Sequence, residues 1–131
     1  MLPFQIRFRT GEPVYGQVIY AVKKALVSAA LRPGDIFPSV RVLSQELKIN
    51  PNTAHKIVTA LVEEGILQVR AGIGTVVAPM RPATREQRRD LLEGEVERLV
   101  VEARRIALEL EDLKRAIERQ WKQLSSQEKS P

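Results

Sequence analysis

The 131-residue sequence has no cysteine, which excludes disulfide bonds, thiolate zinc sites and a cysteine nucleophile. Its three phenylalanines, two tyrosines and one tryptophan are too few and too scattered for a platform that stacks single-stranded bases. No apolar run approaches the length of a membrane span, and the N-terminus lacks a charged segment followed by an apolar block. We therefore expect a cytoplasmic protein with no membrane partner.

Residues with catalytic or metal-binding chemistry are sparse as well. The single histidine, His55, has no cysteines or clustered carboxylates to complete a metal site. Acidic residues between Glu93 and Asp112 alternate with arginines at helical spacing, which is typical of a solvated, ion-paired helix face. The motif Gly72-x-Gly74 precedes a predicted strand, whereas nucleotide-binding loops precede a helix. The sequence predicts no enzyme, no metal and no cofactor.

The length allows one globular domain plus an appendage, and the charge is unevenly divided between them. Residues 1–80 carry nine Lys/Arg against five Asp/Glu, a net charge of +4, whereas residues 81–131 carry twelve against eleven, a net charge of +1. A positive excess in one segment suits the neutralisation of nucleic-acid phosphates. Modest basicity also aids solubility, so the charge alone does not decide between these interpretations.

Residues 37–77 contain two short helix signatures, a turn and a glycine-tipped hairpin. The second helix signature is the sharper one. Asn50 is a good N-cap, and Pro51 follows at the first helical position, where its missing N–H costs no helical bond. Gly65 ends a run of apolar residues at three- and four-residue spacing, namely Ala54, Ile57, Val58, Leu61 and Val62. The order of these signals predicts a helix-turn-helix.

The flanking segments complete a small predicted domain. Phe4–Phe8 alternates apolar and polar residues, which indicates a short strand or an arm. Val14–Leu31 has the spacing of an amphipathic helix, and the Pro33-Gly34 turn follows it. Ile66–Arg70 and Thr75–Ala78 are the predicted strands of a wing.

These residues resemble the winged-helix domain of the GntR family of bacterial transcription regulators. Three motifs stand in the family's order: Phe37-Pro38-Ser39-Val40-Arg41-Val42-Leu43, Gly65-Ile66-Leu67 and Gly72-Ile73-Gly74-Thr75. Pro13-Val14-Tyr15-Gly16-Gln17-Val18 is similar to the opening of the family's first helix. Asn50-Pro51-Asn52-Thr53, together with the short tail, is similar to the YtrA subfamily. The resemblance implies a regulator that binds double-stranded DNA.

Candidate DNA-contacting residues follow from the resemblance and from the helix pattern. Arg41 stands where the family places a DNA-contacting arginine, although its plainer interpretation is a solvated surface residue. Asn52 and Thr53, at the start of the second helix, suit phosphates, whereas His55 and Lys56 lie further along and suit base edges. The full predicted set is Ser39, Arg41, Asn50, Asn52, Thr53, His55, Lys56, Arg70 and Gly72.

Three members of this set have an alternative interpretation that does not involve DNA. Ser39 is first of all an N-cap, and its contact with phosphate is secondary. His55 is an ordinary exposed residue in the plainer interpretation. Gly72 lets the wing approach a phosphate or enter the minor groove, with Arg70 behind it, but a hairpin turn also requires positive φ at such a glycine.

The tail after Thr84 is rich in Glu, Arg, Leu and Ala, and Thr84 with Gln87 predicts a capping box. Its apolar residues recur at alternating four- and three-residue steps: Leu92, Val96, Leu99, Ala103, Ile106, Leu110, Leu113 and Ile117. A lone helix would expose this seam to water, so we predict that a second copy of the chain covers it. The resemblance implies two helices with a break near Ala107-Leu108-Glu109. One long helix is also open, because the break contains no glycine or proline.

The predicted fold class is α+β, mainly α, with a winged helix-turn-helix domain over residues 1–80 and a short all-helical C-terminal dimerisation tail over residues 81–131. The predicted function is that of a homodimeric transcription regulator, a repressor that binds an inverted-repeat operator. The alternative is a protein-interaction adaptor that uses the winged fold without reading DNA. The polar residues on the outward face of the second motif helix favour DNA. A helical tail offers little volume for a ligand pocket, and a small-molecule effector stays unknown.

Overall fold

The computed structural model describes residues 2–128, and the chain divides into two compact units over residues 2–80 and Arg81–Ser126. Met1 and residues 129–131, the outer limits of the two predicted domains, lie outside the described part. The first unit consists of α1 (Val14–Val27), α2 (Val40–Leu47), α3 (Pro51–Glu63), β1 (Leu67–Arg70) and β2 (Gly74–Val77). A mainly helical unit with a two-stranded wing is the predicted fold class, which is confirmed.

The wing is an antiparallel pair in which Leu67 lies opposite Val77 and Arg70 lies opposite Gly74. Ile36, in the loop before α2, adds an isolated antiparallel bridge to Val76. The backbone of β2 therefore bonds both to β1 and to the segment that leads into the helix-turn-helix, which ties the base of the wing to the rest of the unit.

The core of the first unit is lined by one face of each helix and by the wing. Val18 and Val22 of α1 have no exposed surface, and neither do three residues of α3, namely Ala54, Ile57 and Leu61. Because those three residues follow the helical period, one face of α3 is buried and the other is left to solvent.

The N-terminal segment forms an arm, so the strand alternative for Phe4–Phe8 is wrong. Phe4 is buried and stacks on Phe37, with ring centroids 6.0 Å apart. The amide of Gln17 holds the other end of the arm: its oxygen accepts from the Arg9 N–H at 2.8 Å, and its nitrogen donates to the carbonyls of Arg9 at 3.1 Å and Glu12 at 3.0 Å. Side-chain bonds to the arm backbone replace the ladder that a strand would need.

Helix α1 ends at Val27, four residues before the predicted end at Leu31. Ala29 adopts the left-handed conformation with φ 62°, and its N–H donates to the Leu26 carbonyl at 3.2 Å. The turn brings Leu31 into the core, where it is 1% exposed. Burial of a leucine outweighs the cost of a left-handed alanine, which explains the early end.

The second unit begins with a continuous helical stretch made of α4 (Arg85–Arg89), a π-helical segment (Asp90–Glu95) and α5 (Val96–Arg105). The predicted capping box is present: the Thr84 hydroxyl accepts from the Gln87 N–H at 3.1 Å, and the Gln87 amide oxygen accepts from the Thr84 N–H at 2.9 Å. Near the end of α5, hydrogen bonds to Glu102 raise the pKa of the Arg105 guanidinium above its ordinary value. Over residues 2–128, no helix is both long and apolar enough to cross a membrane.

The tail then turns and continues as α6 (Leu110–Glu128). Ala107 is left-handed with φ 60°; its N–H donates to the Arg104 carbonyl at 3.1 Å, and the Leu108 N–H donates to the Ala103 carbonyl at 2.9 Å. These two bonds are those of a Schellman motif, here with alanine where glycine is usual. The two-helix alternative is therefore the observed one.

Two glycine substitutions test how helix ends are set in the first unit. Gly65, with φ 79°, ends α3, whereas Gly16 lies inside α1 with an ordinary φ, and a Cβ meets nothing within 4 Å at either position. Gly65→Ala should lower the free energy of unfolding by about 1 kcal/mol, because alanine disfavours the left-handed conformation. Gly16→Ala should raise it by roughly 0.5 kcal/mol. Urea denaturation of the full chain measures both, and changes of the same sign at the two positions would contradict this explanation.

Candidate nucleic-acid interface

At the start of α2, one residue caps the helix and a neighbouring one carries a cation without a partner in the described residues. The hydroxyl of Ser39 accepts from the Val42 N–H at 3.2 Å, so Ser39 is the N-cap and its oxygen is engaged. Arg41 follows in the first turn and is exposed, and its guanidinium makes no hydrogen bond or ion pair within residues 2–128. Ser44 donates from its hydroxyl to the Arg41 carbonyl at 3.0 Å, which anchors the backbone there. Arg41 thus presents a fork of unused donors to solvent.

The start of α3 likewise combines a capping residue with exposed polar residues. The side-chain oxygen of Asn50 accepts from the Asn52 N–H at 2.7 Å, so Asn50 is the N-cap of α3. Asn52, His55 and Lys56 are exposed and Thr53 is half-buried. They lie away from the buried stripe of α3, so the helix period brings the predicted base-reading and phosphate-binding residues to the outward surface.

Helix α1 adds a residue that the sequence analysis did not include. Tyr15, 41% exposed, lines a shallow depression of about 350 Å³ with residues of α3. The other lining residues are His55, Lys56, Thr59, Ala60 and Glu63. Tyr15 lies in the segment that resembles the family's first helix, but that segment indicated fold, and no local pattern shows that its phenol borders α3.

The wing carries the remaining predicted residues at its tip. Gly72 is exposed with φ 78°, and the Ile73 N–H closes the turn on the Arg70 carbonyl at 3.1 Å. Gln68 lies beside Arg70. When its amide oxygen faces the guanidinium, it accepts from Arg70 Nη2 at 3.0 Å and from Nε at 3.1 Å, and in that orientation Gln68 holds the Arg70 side chain. Its signal in the sequence was the two-residue spacing that puts both side chains on one face of β1.

Carboxylates of the first unit are mostly engaged away from these residues. Glu12 pairs with Arg9 at 3.9 Å, Glu64 pairs with Lys23 at 3.3 Å, and Asp35 accepts from the Arg32 N–H at 2.8 Å. Within residues 2–128, no carboxylate forms an ion pair with Arg41, Lys56 or Arg70. These three cations are therefore available to a polyanion without first breaking a salt bridge.

The family of bacterial regulatory proteins named gntR matches residues 14–77. The HTH-type transcriptional repressor YtrA of Bacillus subtilis (strain 168) is 33% identical over 110 residues, which cover 83% of this chain and 85% of that protein. The chain belongs to the GntR family. This GntR-family protein is a DNA-binding transcription regulator with a winged helix-turn-helix, similar to YtrA, and it is not an enzyme.

Solved structures agree with this assignment. YtrA from Sulfolobus acidocaldarius, a GntR-family transcription factor, superposes with a TM-score of 0.60 at 27% identity over 74% of this chain and 96% of that one. A transcriptional antiterminator from Listeria monocytogenes EGD-e gives a TM-score of 0.82 over 92% of this chain and 91% of that one. Its identity is 18%, so the second likeness concerns the fold alone.

The unpaired guanidinium of Arg41 gives the first binding prediction. Arg41→Ala should weaken binding to a duplex that the wild-type protein selects from a random library by roughly 1–3 kcal/mol per half-site. Arg32→Ala, which removes the same charge from an exposed turn, is the matched control and should change affinity little. Fluorescence anisotropy measures both affinities. If the Arg41→Ala protein binds within a factor of two of wild type, Arg41 makes no important contact with DNA.

The second binding prediction concerns base preference. Exchanging His55 and Lys56 together for the residues of a relative with another operator should alter the selected sequence more than the total affinity, because base-edge contacts carry the sequence information. Selection from a random-sequence library measures the change. Recovery of the wild-type site would mean that these two residues only position the protein on DNA.

Proposed function

We propose that this GntR-family regulator is a homodimeric, sequence-specific repressor that binds an inverted-repeat operator in double-stranded DNA. The observation that carries the proposal is the exposed apolar seam of the tail, combined with an outward polar face on α3 of the first unit. The polar face of α3 allows each chain to recognise one operator half-site, so we call residues 1–80 the reader. Burial of the seam favours the association of two chains.

The reader is residues 1–80. His55 and Lys56 contact base edges in the major groove, while Arg41, Asn52 and Thr53 contact phosphates and set the register. Support comes from the exposure of His55, Lys56, Arg41 and Asn52, and from the ion-pair-free state of Arg41 and Lys56 within the described residues. The polar character of this face favours DNA over the adaptor alternative.

The wing supplies a second approach to the same half-site. Gly72 at the tip has no side chain to obstruct the backbone, and a Cβ there would meet nothing within 4 Å. Arg70, held by Gln68, follows the tip toward the minor groove, where arginine finds enhanced negative potential. Ser39 and Asn50 contribute mainly by fixing the first turns of α2 and α3.

The dimerisation surface is the tail over residues 81–131. Six seam residues are between 40% and 64% exposed in the single chain, namely Leu92, Val96, Leu99, Ile106, Leu110 and Ile117. Ala103 is already buried within its own chain and Leu113 is half-buried, so those two support the tail fold as much as a dimer. An apolar surface of this extent on a small helical unit is a mark of a protein interface.

Energetics favour a symmetric pair. Each large aliphatic side chain that becomes fully buried contributes about 1.5–3 kcal/mol, so several together offset the cost of association. Two linked readers then bind with a high effective concentration for the second half-site. Two-fold symmetry of the protein requires an inverted repeat in the DNA. The description of the Bacillus subtilis relative as a repressor supports repression as the outcome of binding.

A pair of charge insertions in the seam tests this function. Leu99→Glu with Ile106→Glu should produce monomers in sedimentation and a large loss of operator affinity, because two buried carboxylates per chain are costly to desolvate. The winged unit should stay folded by circular dichroism. Truncation after Met80 should have the same effect on affinity.

The matched control adds a carboxylate on the other side of α5. Val101 is 60% exposed and lies roughly opposite the seam. Val101→Glu should leave the dimer and its affinity unchanged. Tight operator binding by a monomeric seam variant would refute dimerisation through the tail, since the seam would then pack within one chain.

A further inference from the structure

We propose that four arginines at the start of the tail, Arg81, Arg85, Arg88 and Arg89, bind DNA phosphates that flank each operator half-site, outside the reach of the winged unit. We name them the flank arginines. This inference rests on the proposed function, because it extends the DNA contact of the same dimer beyond residues 1–80. It assigns to the tail a second role besides association.

Charge is segregated along the first helical stretch of the tail. Residues 81–89 contain the four flank arginines and one glutamate, a net charge of +3. Residues 90–97 contain four carboxylates and no cation, a net charge of −4. The near-neutral total of the tail therefore conceals a positive segment that directly follows the DNA-binding unit, which is where a polyanion would be met.

The flank arginines are also free of partners. All four are exposed, and none makes an ion pair or side-chain hydrogen bond in the part of the chain that the structure describes. Several other cations of the tail pair with a carboxylate three residues earlier, as in Arg98 with Glu95 at 3.6 Å, Lys114 with Glu111 at 3.6 Å and Arg115 with Asp112 at 2.9 Å.

The absence of ion pairs among the flank arginines is not explained by sequence spacing alone. Arg89 has Glu86 three residues before it, the same offset as the tail's salt bridges, and the two side chains still do not pair in the described structure. The flank arginines are thus available to an external anion. Guanidinium groups bind phosphate oxygens in a bidentate geometry, so they suit the DNA backbone.

The position of Arg85 disfavours a role in helix stability. Arg85 is the first residue of the continuous helical stretch that starts with α4, so it lies at the positive end of the helix dipole, where a cation is unfavourable. The capping box already satisfies the Gln87 N–H through Thr84. The arginine side chains, rather than the helix terminus, therefore form the proposed surface.

Chain connectivity limits how far the flank arginines can lie from the end of the wing. Arg81 follows Val77, the last residue of β2, by four positions, so their Cα atoms are at most about 14 Å apart. Arg85 follows by eight positions, which limits the separation of its Cα atom from the same atom to about 29 Å.

The test compares two double variants on two duplexes. Arg85→Gln with Arg88→Gln removes two flank arginines, and Arg104→Gln with Arg119→Gln removes two other exposed tail arginines that have no partner in the described residues. One duplex carries the selected operator with about one helical turn of flanking DNA on each side, and the other ends at the half-site edges. Affinity is measured by anisotropy as a function of salt concentration.

On the long duplex, the flank variant should lose about 0.9 in the slope of log affinity against log salt for each phosphate contact removed, so up to about 3.6 for two arginines in each of two chains. On the short duplex, it should match wild type, and the control variant should match wild type on both. Equal slopes for the flank variant and wild type on the long duplex would overturn the proposal.

Two further outcomes separate this inference from its alternatives. If the flank variant becomes monomeric in sedimentation, the arginines bind the acidic segment 90–97 of a second copy, and the DNA proposal is overturned. If wild type selects no operator, the proposed function fails. The salt slopes on a long duplex of arbitrary sequence then still decide the flank arginines, since phosphate contacts do not depend on sequence.

Discussion

Burial of one face of α3 is the constraint on which the interface depends. Ala54, Ile57 and Leu61 have no exposed surface, and together they fix the rotation of the helix about its axis. Because a helix repeats every 3.6 residues, this rotation alone determines that His55 and Lys56 point to solvent. A different buried stripe would present another set of side chains to solvent, so packing of the core decides which residues the proposed reading helix offers to DNA.

The tail follows the same helical rule but lacks a partner within its unit. In the first unit, the buried faces of α1 and α3 are covered by other elements of that unit, whereas seam residues such as Leu99 and Ile106 are 42% and 53% exposed. The free energy that a second copy gains by covering them is the physical basis of the proposed dimer. In the proposed dimer, two linked winged units would convert weak half-site binding into tight operator binding.

Two polar residues at the helix starts, both in the predicted DNA-binding set, are first of all helix caps. In both Ser39 and Asn50, the side-chain oxygen accepts a hydrogen bond from a backbone N–H of the helix that follows. Residue type and spacing cannot separate these roles, because a capping oxygen and a phosphate-binding donor occur on the same residue types at the same positions. In the structure, Arg41 lies beside the capping serine with its donors unused.

The sequence by itself determined the features that depend on neighbours along the chain. Gly65 ends α3 and Thr84 caps the tail helix as predicted, because a cap involves only residues within one turn. Tertiary structure decided the rest. Ala29 and Ala107 end helices in the left-handed conformation, although alanine favours helix, and at Ala29 the gain is the packing of Leu31 in the core. Tyr15 borders α3 for the same reason: packing joins residues that no local pattern relates.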